Sequence, residues 1–472
     1  MKHLDTGGSK EKAQRNPGSF RDPSGYIFEN ENQIFRAVSN LGFVNYKYVK
    51  DSGFLDAAIA KNWVVGCKEV EQSLPDVAAE LVLEHPRLPF ISYPYEWSFE
   101  ALKSAAIFHL DVQLMALGYN VAVSDATAYN VQFLGTNPIF IDVLSFKEYK
   151  EGEFWVAHRQ FCEQFLNPLL MGSEFGIAHN SIYRGNLEGV STSDVDKLLP
   201  RWRKFTSWGL FTHVYLQAKF QSGAGEKHKN SANSKKQRRL SKNAFTEMLT
   251  QLRNWISRLE VKNTSKTVWA DYANDHSYAD EETIAKSKFV AEFSSKVAPK
   301  ILWDLGCNTG DFTRVAQEGG DCIGIGFDFD QNSLDEGFQR SRKEKTNFLP
   351  LFLDAANPSP SQGWNHRERL SFKDRANADA VLALAFEHHL AIGKNIPLPD
   401  VVDWICSLAP TGVIEFVPKS DPMIERMLLL REDVFHEYNE EQFEISLRKN
   451  AKIVKSIQVS ATGRKLYWYE KM

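Results

Sequence analysis

Ile301-Leu302-Trp303-Asp304-Leu305-Gly306-Cys307-Asn308-Thr309-Gly310 decides how the second half of this chain folds. Five residues patterned as a buried strand run straight into a tight turn. The following 311–317 suit a short helix, which Gly319-Gly320 ends. Glycines at 306 and 310 let the backbone bend sharply and approach a ligand closely. A dinucleotide-binding loop starting at Gly306 would need glycine where Asn308 and Asp311 stand, and a nucleoside-triphosphate loop would end in Gly-Lys-Ser/Thr. Both patterns fail. Asp304 and Asp311 would repel a pyrophosphate and suit a cationic, amine-bearing ligand at the carboxyl end of the strand.

Outward from this loop, candidate strands at 301–305, 322–327, 347–353, 379–385, 412–417, 453–459 and 466–469 alternate with amphipathic stretches. Ser460-Ala461-Thr462-Gly463 suits a hairpin turn between the last two. The fold class is therefore α/β, with a Rossmann-like seven-stranded sheet at the C-terminus. The second strand ends in Gly326-Phe327-Asp328-Phe329-Asp330, and Asp328 stands roughly 20 residues after the glycine loop, where Rossmann-like folds carry a ribose-binding carboxylate. The third ends in Phe352-Leu353-Asp354-Ala355. Each acid alone also reads as a helix or turn cap. Together, at successive strand ends, they read as one ligand site.

These motifs resemble those of class I S-adenosylmethionine-dependent methyltransferases over roughly 262–472. The resemblance implies that Gly306, Cys307, Asn308 and Gly310, beside Asp304, cradle the methionine part of S-adenosylmethionine. It further implies that Asp328 binds both ribose hydroxyls, that Phe329 packs on the adenine, and that Asp354, followed by Ala355, faces the adenine amine. Phe386-Glu387-His388-His389-Leu390 is similar to the family's strand-end segment carrying histidine. His388 or His389 is the candidate catalytic base, having the side chain that titrates nearest neutrality; the alternative is that the segment only shapes the pocket. Methyl transfer asks for little more, since in-line positioning supplies much of the acceleration. Trp269, Tyr272 and Tyr278 suit either a lid or core packing, and Glu415 and Lys419 are expected to face the acceptor.

In the N-terminal half, apolar residues at Phe99, Leu102, Ala106, Leu110, Leu114 and Leu117 predict a helix. A short strand at 120–123, then Ser124-Asp125, Asn130, a turn at Gly135-Thr136-Asn137-Pro138 and a strand closing on Asp142 follow. This order resembles the catalytic loop and metal-binding acid of protein kinase-like phosphotransferases. The resemblance implies that Asp125 orients an acceptor hydroxyl while Asn130 and Asp142 hold magnesium on ATP. Ser124 and Val143-Leu144 depart from that pattern, and Asp22-Pro23-Ser24-Gly25-Tyr26 is no glycine-rich loop. A strand at 33–38 would carry Arg36, and Lys68 is a candidate phosphate-binding lysine. The alternative is an α+β recognition domain in which Asp125 and Asn130 make Asx turns. Tyr93-Pro94-Tyr95-Glu96-Trp97 and Phe154-Trp155 would then line a pocket or pack in the core. The two-part arrangement as a whole also resembles bacterial methyltransferases, some linked to nodulation, which implies no substrate.

A chain of 472 residues with 43% apolar and 25% charged residues suits two or three globular domains. The expected division is a disordered tail over 1–18, a separate α+β domain over 19–221, a basic flexible linker over 222–243 and the methyltransferase domain over 244–472. Lys227, Lys229, Lys235, Lys236, Arg238, Arg239 and Lys242 make the linker basic. The apolar stripe Phe245, Met248, Leu249, Leu252, Trp255, Ile256 and Leu259 predicts a helix docked on the C-terminal domain. A net charge of −4 argues against nucleic acid as partner. No apolar run nears the roughly 20 residues of a membrane span, and no leader is evident, so a cytoplasmic location is expected. The five cysteines lie scattered, without zinc spacing, and Cys307 reads as a small loop filler. The expected function is methyl transfer to an unidentified acceptor, whether sugar, lipid, protein or small molecule, with an N-terminal domain that selects or modifies it. Two alternatives are a bifunctional enzyme with ATP-dependent phosphotransfer and a cofactor-binding module without turnover.

Overall fold

Short runs rich in β-branched and aromatic residues build most of the first five strands, β1 (Gln14–Arg15), β2 (Gly25–Asn30), β3 (Gln33–Val38), β4 (Lys68–Val70) and β5 (Leu81–His85). In the computed structural model, which describes residues 14–30, 33–70, 79–153, 155–221, 240–262, 280–429 and 432–472, they form an antiparallel sheet in the order β1-β2-β3-β5-β4. Gln14 and Arg15 pair with Glu29 and Phe28, so 14–18 are ordered, contrary to the disorder expected of that stretch. Helices α1 (Asn40–Asp51), capped by Ser39, and α2 (Phe54–Ala60) lie between β3 and β4. Helix α3 (Phe99–Gly118) is buried on most sides and leads to β6 (Val121–Val123). β7 (Val131–Leu134) and β8 (Asn137–Phe140) make the expected hairpin, and β9 (Phe146–Glu148) pairs with β6.

The helix Lys242–Ile256 corrects one expectation. It packs on α3 and not on the C-terminal sheet, burying Phe245, Leu249, Leu252 and Ile256, with Arg253 Nη2 donating to Asp111 Oδ2 at 3.0 Å. The physical reason is that α3 is apolar around most of its circumference and needs cover on this side as well. Lys242 opens that helix and donates to Asn120 Oδ1. The other six linker cations, Phe154, and the aromatics Trp269, Tyr272 and Tyr278 lie outside the described residues.

All seven predicted C-terminal strands are present: β10 (Ile301–Leu305), β11 (Ile323–Asp328), β12 (Phe348–Phe352), β13 (Ala380–Ala383), β14 (Thr411–Phe416), β15 (Ala451–Gln458) and β16 (Lys465–Lys471). Their order is β12-β11-β10-β13-β14-β16-β15, parallel except for β16, which runs antiparallel to both neighbours. β13 and β14 are buried along their whole length, as a parallel sheet covered on both faces requires. Phe289, Val290 and Phe293 of the helix Asp280–Val297 cover one face. On the other face the core continues without a break into the N-terminal half, where Phe90 meets Trp303 edge-on at 5.5 Å and Phe133 meets Phe338 at 5.9 Å. The N-terminal half is therefore not a separate domain with its own closed core. Among the described residues, no helix is long and apolar enough to cross a membrane.

One ion pair locks this junction. Glu96 and Arg375 are only 6% and 4% exposed and pair through both guanidinium ends, with Arg375 Nη1 donating to Glu96 Oε2 at 3.0 Å. Arg375 also donates to the carbonyl of Ile91, and Tyr93 Oη accepts from the amide of Leu370. Glu96→Ala leaves a buried guanidinium without its counter-charge. Chemical denaturation should show a loss of about 3–5 kcal/mol, with part of it recovered when Arg375→Met is added.

Candidate functional site

Three residues of the loop after β10 adopt left-handed backbone: Gly306 at φ 73°, Asn308 at φ 48° and Gly310 at φ 83°. Asparagine tolerates this region better than other non-glycine residues, which accounts for Asn308. A Cβ on Gly310 would lie 2.4 Å from the Phe348 ring, and one on Gly306 would lie 3.0 Å from Phe386. The two rings thus take the space that side chains would fill, and the loop turns tightly at the carboxyl end of β10, the point where strand order reverses between β10 and β13. Cys307 is buried inside the turn, and burial pushes its thiol far up, so it stays protonated.

The strand-end acids divide into two kinds. Asp304 is buried and accepts from Thr313 Oγ1 at 2.6 Å, so it braces the helix Asp311–Gln317 from beneath the loop. Burial, with Asp328 and Asp311 adding repulsion, pushes its carboxyl up to about 7. Asp328 accepts from the amides of Asn308 at 2.8 Å and Asp330 at 2.9 Å, tying the second strand end to the first. Burial raises its carboxyl as well. Asp330 caps the helix Gln331–Glu344, and Asp354 accepts from the amide of Ala356 beside a half-buried Ala355. Phe329 stands 55% exposed next to Phe352, an aromatic face left open beside these acids.

That face looks into a cleft of about 410 Å³. Phe329, Phe352 and Asp354 form one wall, while Tyr95, His179 and Arg184 from the N-terminal half form the other. Asn180 clamps this wall, donating to the carbonyls of Tyr95 and Trp97 and accepting from Gln331 Nε2 at 3.1 Å. Arg184 Nη1 reaches the carbonyl of Asn357 at 2.6 Å. Sequence reasoning flagged Tyr95 but missed His179, Asn180 and Arg184; nothing local marks residues whose partners lie so far along the chain.

At the carboxyl ends of β13 and β14 the structure gathers a second polar group. Glu415 is fully buried, pairs with Lys286 Nζ at 2.7 Å and accepts from the amide of Ala385. Glu387 accepts from the amide of Val417 and from Tyr438 Oη, with its other oxygen 3.5 Å from His388 Nδ1. His388 is sealed from solvent, whereas His389 keeps some surface and is held neutral by burial, His388 and Arg464. Lys419 pairs with Asp433 at the surface. Neither histidine lies on the wall of the cleft.

In the N-terminal half, Asp125 accepts from Gln160 Nε2 at 2.7 Å and from the amide of Thr127, which is an Asx turn. Asn130 donates to Ser145 Oγ, which donates to Asp142 Oδ2 at 2.7 Å. Arg36 on β3 pairs with Asp22 and stands 3.4 Å from Asp142 Oδ1. Lys68 is exposed on the edge strand β4 and takes no part.

Asp304 sets a pH dependence whose sign follows from its raised carboxyl. The stability that comes from keeping it neutral is complete below about 3.8 and is lost as pH rises towards about 7. Asp304→Asn, always neutral and still able to accept from Thr313, should match the native chain near the acid end. Near pH 8 it should exceed the native chain by about 1–3 kcal/mol in denaturant melts.

Over 457 aligned residues the chain is 48% identical to nodulation protein NoeA of Rhizobium meliloti (strain 1021), an alignment covering 96% of this chain and 95% of that one. No family model matches it. Among solved structures, the PH0226 protein from Pyrococcus horikoshii OT3 aligns at 16% identity and TM-score 0.31, covering 43% of this chain and 99% of its own. The N-methyltransferase NodS from Bradyrhizobium japonicum WM9 aligns at 14% and 0.30, covering 41% and 97%. An S-adenosylmethionine-dependent methyltransferase from Clostridium acetobutylicum ATCC 824 aligns at 13% and 0.31, covering 43% and 99%. None of these supports the kinase-like reading of the N-terminal half. The extent and identity of the first match are decisive: the chain belongs to the same family as NoeA.

Proposed function

We propose that the chain is an S-adenosylmethionine-dependent methyltransferase whose cofactor cleft is walled on one side by the N-terminal half. The observation that carries this reading is the meeting of a left-handed glycine loop, the Asp328 carboxylate that holds its Asn308 amide and the open Phe329 face at the ends of two adjoining parallel strands. The residues fit that cofactor: a tight left-handed loop ends β10 next to the Asp328 carboxylate, and an exposed ring beside Phe352 suits a purine. The relative's name ties it to nodulation, and the same setting is proposed for this chain.

When bound, the cofactor supplies an electrophilic methyl on a positively charged sulfur. Asp328 accepts from the ribose hydroxyls and needs its charge to do so. Phe329 covers the base, Asp354 accepts from its amine, and Tyr95 with Asn180 keeps water from that end. Acceptor molecules would approach over the ends of β13 and β14, where the His388–His389 segment shapes the approach. Glu387 and Glu415 hold that segment in place through Val417 and Ala385.

A second reading, ATP-dependent phosphotransfer in the N-terminal half, has one observation in its favour: Ser145 joins Asn130 and Asp142 on one side of the loop carrying Asp125. Against it, Arg36 and Ser145 already engage both oxygens of Asp142, so magnesium would have to displace a buried cation. That reading predicts magnesium-dependent ATP binding abolished in Asp142→Ala. The scaffold reading favoured here predicts no ATP binding by the intact chain, measured by fluorescence with a nucleotide analogue.

For the main proposal, titration calorimetry of the full chain with S-adenosylhomocysteine should show one site per chain. Asp328→Ala should weaken it at least about tenfold, because two hydrogen bonds to a charged acceptor are worth roughly 1.5–3 kcal/mol each. A folded chain that gives no heat with either S-adenosylhomocysteine or S-adenosylmethionine overturns the reading.

A further inference from the structure

The N-terminal core holds three donor side chains that methyl transfer leaves unused. His158 and Cys162 stand four residues apart where a helix changes from α (His158–Phe161) to π (Cys162–Leu166). His213 comes from a second π segment, Leu210–Leu216. Such segments are rare and concentrate at functional sites, because the added residue costs helical regularity and turns side chains off the usual face. Here two of them converge on one point.

His158 Nε2 lies 2.9 Å from His213 Nδ1 and 3.6 Å from Cys162 Sγ, and the three donor atoms all fall within 4.8 Å of one another. A tetrahedral zinc ion, with bonds of about 2.0 Å to nitrogen and 2.3 Å to sulfur, sets nitrogen pairs about 3.3 Å apart and nitrogen–sulfur pairs about 3.5 Å apart. The two separations from His158 differ from these by only a few tenths of an ångström.

The surroundings are otherwise aromatic: Trp155 lies 5.9 Å from the His158 ring, and Trp208 and Trp255 lie 5.2 and 6.4 Å from the His213 ring. Three heteroatoms in such a place need partners, and hydrogen bonding satisfies them only in pairs, whereas one cation takes a lone pair from each. Thiolate with imidazole, and no carboxylate in the set, selects zinc over magnesium or calcium. His158 keeps some exposed surface, which gives solvent a route to a fourth position.

We propose that His158, Cys162 and His213 bind a zinc ion, with solvent as fourth ligand, and that the ion ties the two π segments together. Binding costs the Cys162 thiol its proton, which passes to solvent, and changes no oxidation state. Trp255 belongs to the helix Lys242–Ile256, so the tie also braces the last helix described before the C-terminal half.

The test is metal content of the full-length chain, made without a polyhistidine tag in zinc-supplied cells and measured by plasma mass spectrometry. Expected are about one zinc per chain, at least about a tenfold loss in Cys162→Ala and in His213→Phe, and no change in Cys67→Ser. Should those variants misfold, cobalt(II) exchanged into the native chain reports directly, through a thiolate-to-cobalt charge-transfer band that a chelator removes. Zinc loss should also lower the melting temperature. A native chain without zinc, zinc that persists in folded Cys162→Ala, copper in zinc's place, or cobalt without a thiolate band overturns the assignment.

Discussion

Everything about the cleft depends on a charge pair that cannot be left half-made. Glu96 and Arg375 face each other across the junction of the two halves, nearly without solvent, and either one alone would be a bare ion in low dielectric. Once paired they fix the segment Tyr93–Trp97 against the C-terminal sheet, and that segment carries Tyr95 into the cleft wall. The buried pair is a poor source of net stability but a strong source of register, since no sliding of the two halves keeps both ends of the guanidinium satisfied. Asn180 and Gln331 repeat the same logic with neutral groups a short distance away.

From that fixed junction the site follows in two layers. The inner layer is the loop from Gly306 to Gly310, held in left-handed backbone by Phe348 and Phe386 packing where side chains would otherwise stand. The outer layer is the aromatic face of Phe329 and Phe352, open only because the N-terminal half stands off it by the width of a cleft. Asp304 and Asp328 sit by the loop with their carboxyls raised by burial and by neighbouring acids. Such a place favours a positively charged ligand, which relieves repulsion that the fold alone leaves in place.

The sequence made the C-terminal sheet legible because its parallel inner strands are buried on both faces and read as short, mostly apolar runs. The position of Asp328 and Phe329 at a strand end was legible for the same reason. The role of Asp304 was not: its spacing suited a ligand contact, but burial turned it into a brace for Thr313. The helix Lys242–Ile256 had a clear apolar stripe, yet amphipathicity names a buried face and not the surface that buries it. His179, Asn180 and Arg184 act through partners far away in the chain, and the meeting of His213 with His158 and Cys162 depends on two π segments that no residue pattern announces. The N-terminal acids show the converse limit. Their spacing matched a phosphotransfer pattern, while the structure surrounds Asp142 with Arg36 and Ser145.

The central claim, that one cofactor cleft is built from both halves, is tested most directly by diffraction from crystals of the full chain grown with S-adenosylhomocysteine. The account predicts density with its ribose on Asp328, its purine against Phe329 and its outer edge facing Tyr95 and Asn180. Ligand bound elsewhere, or bound at Asp328 with the N-terminal wall displaced from it, would contradict the account.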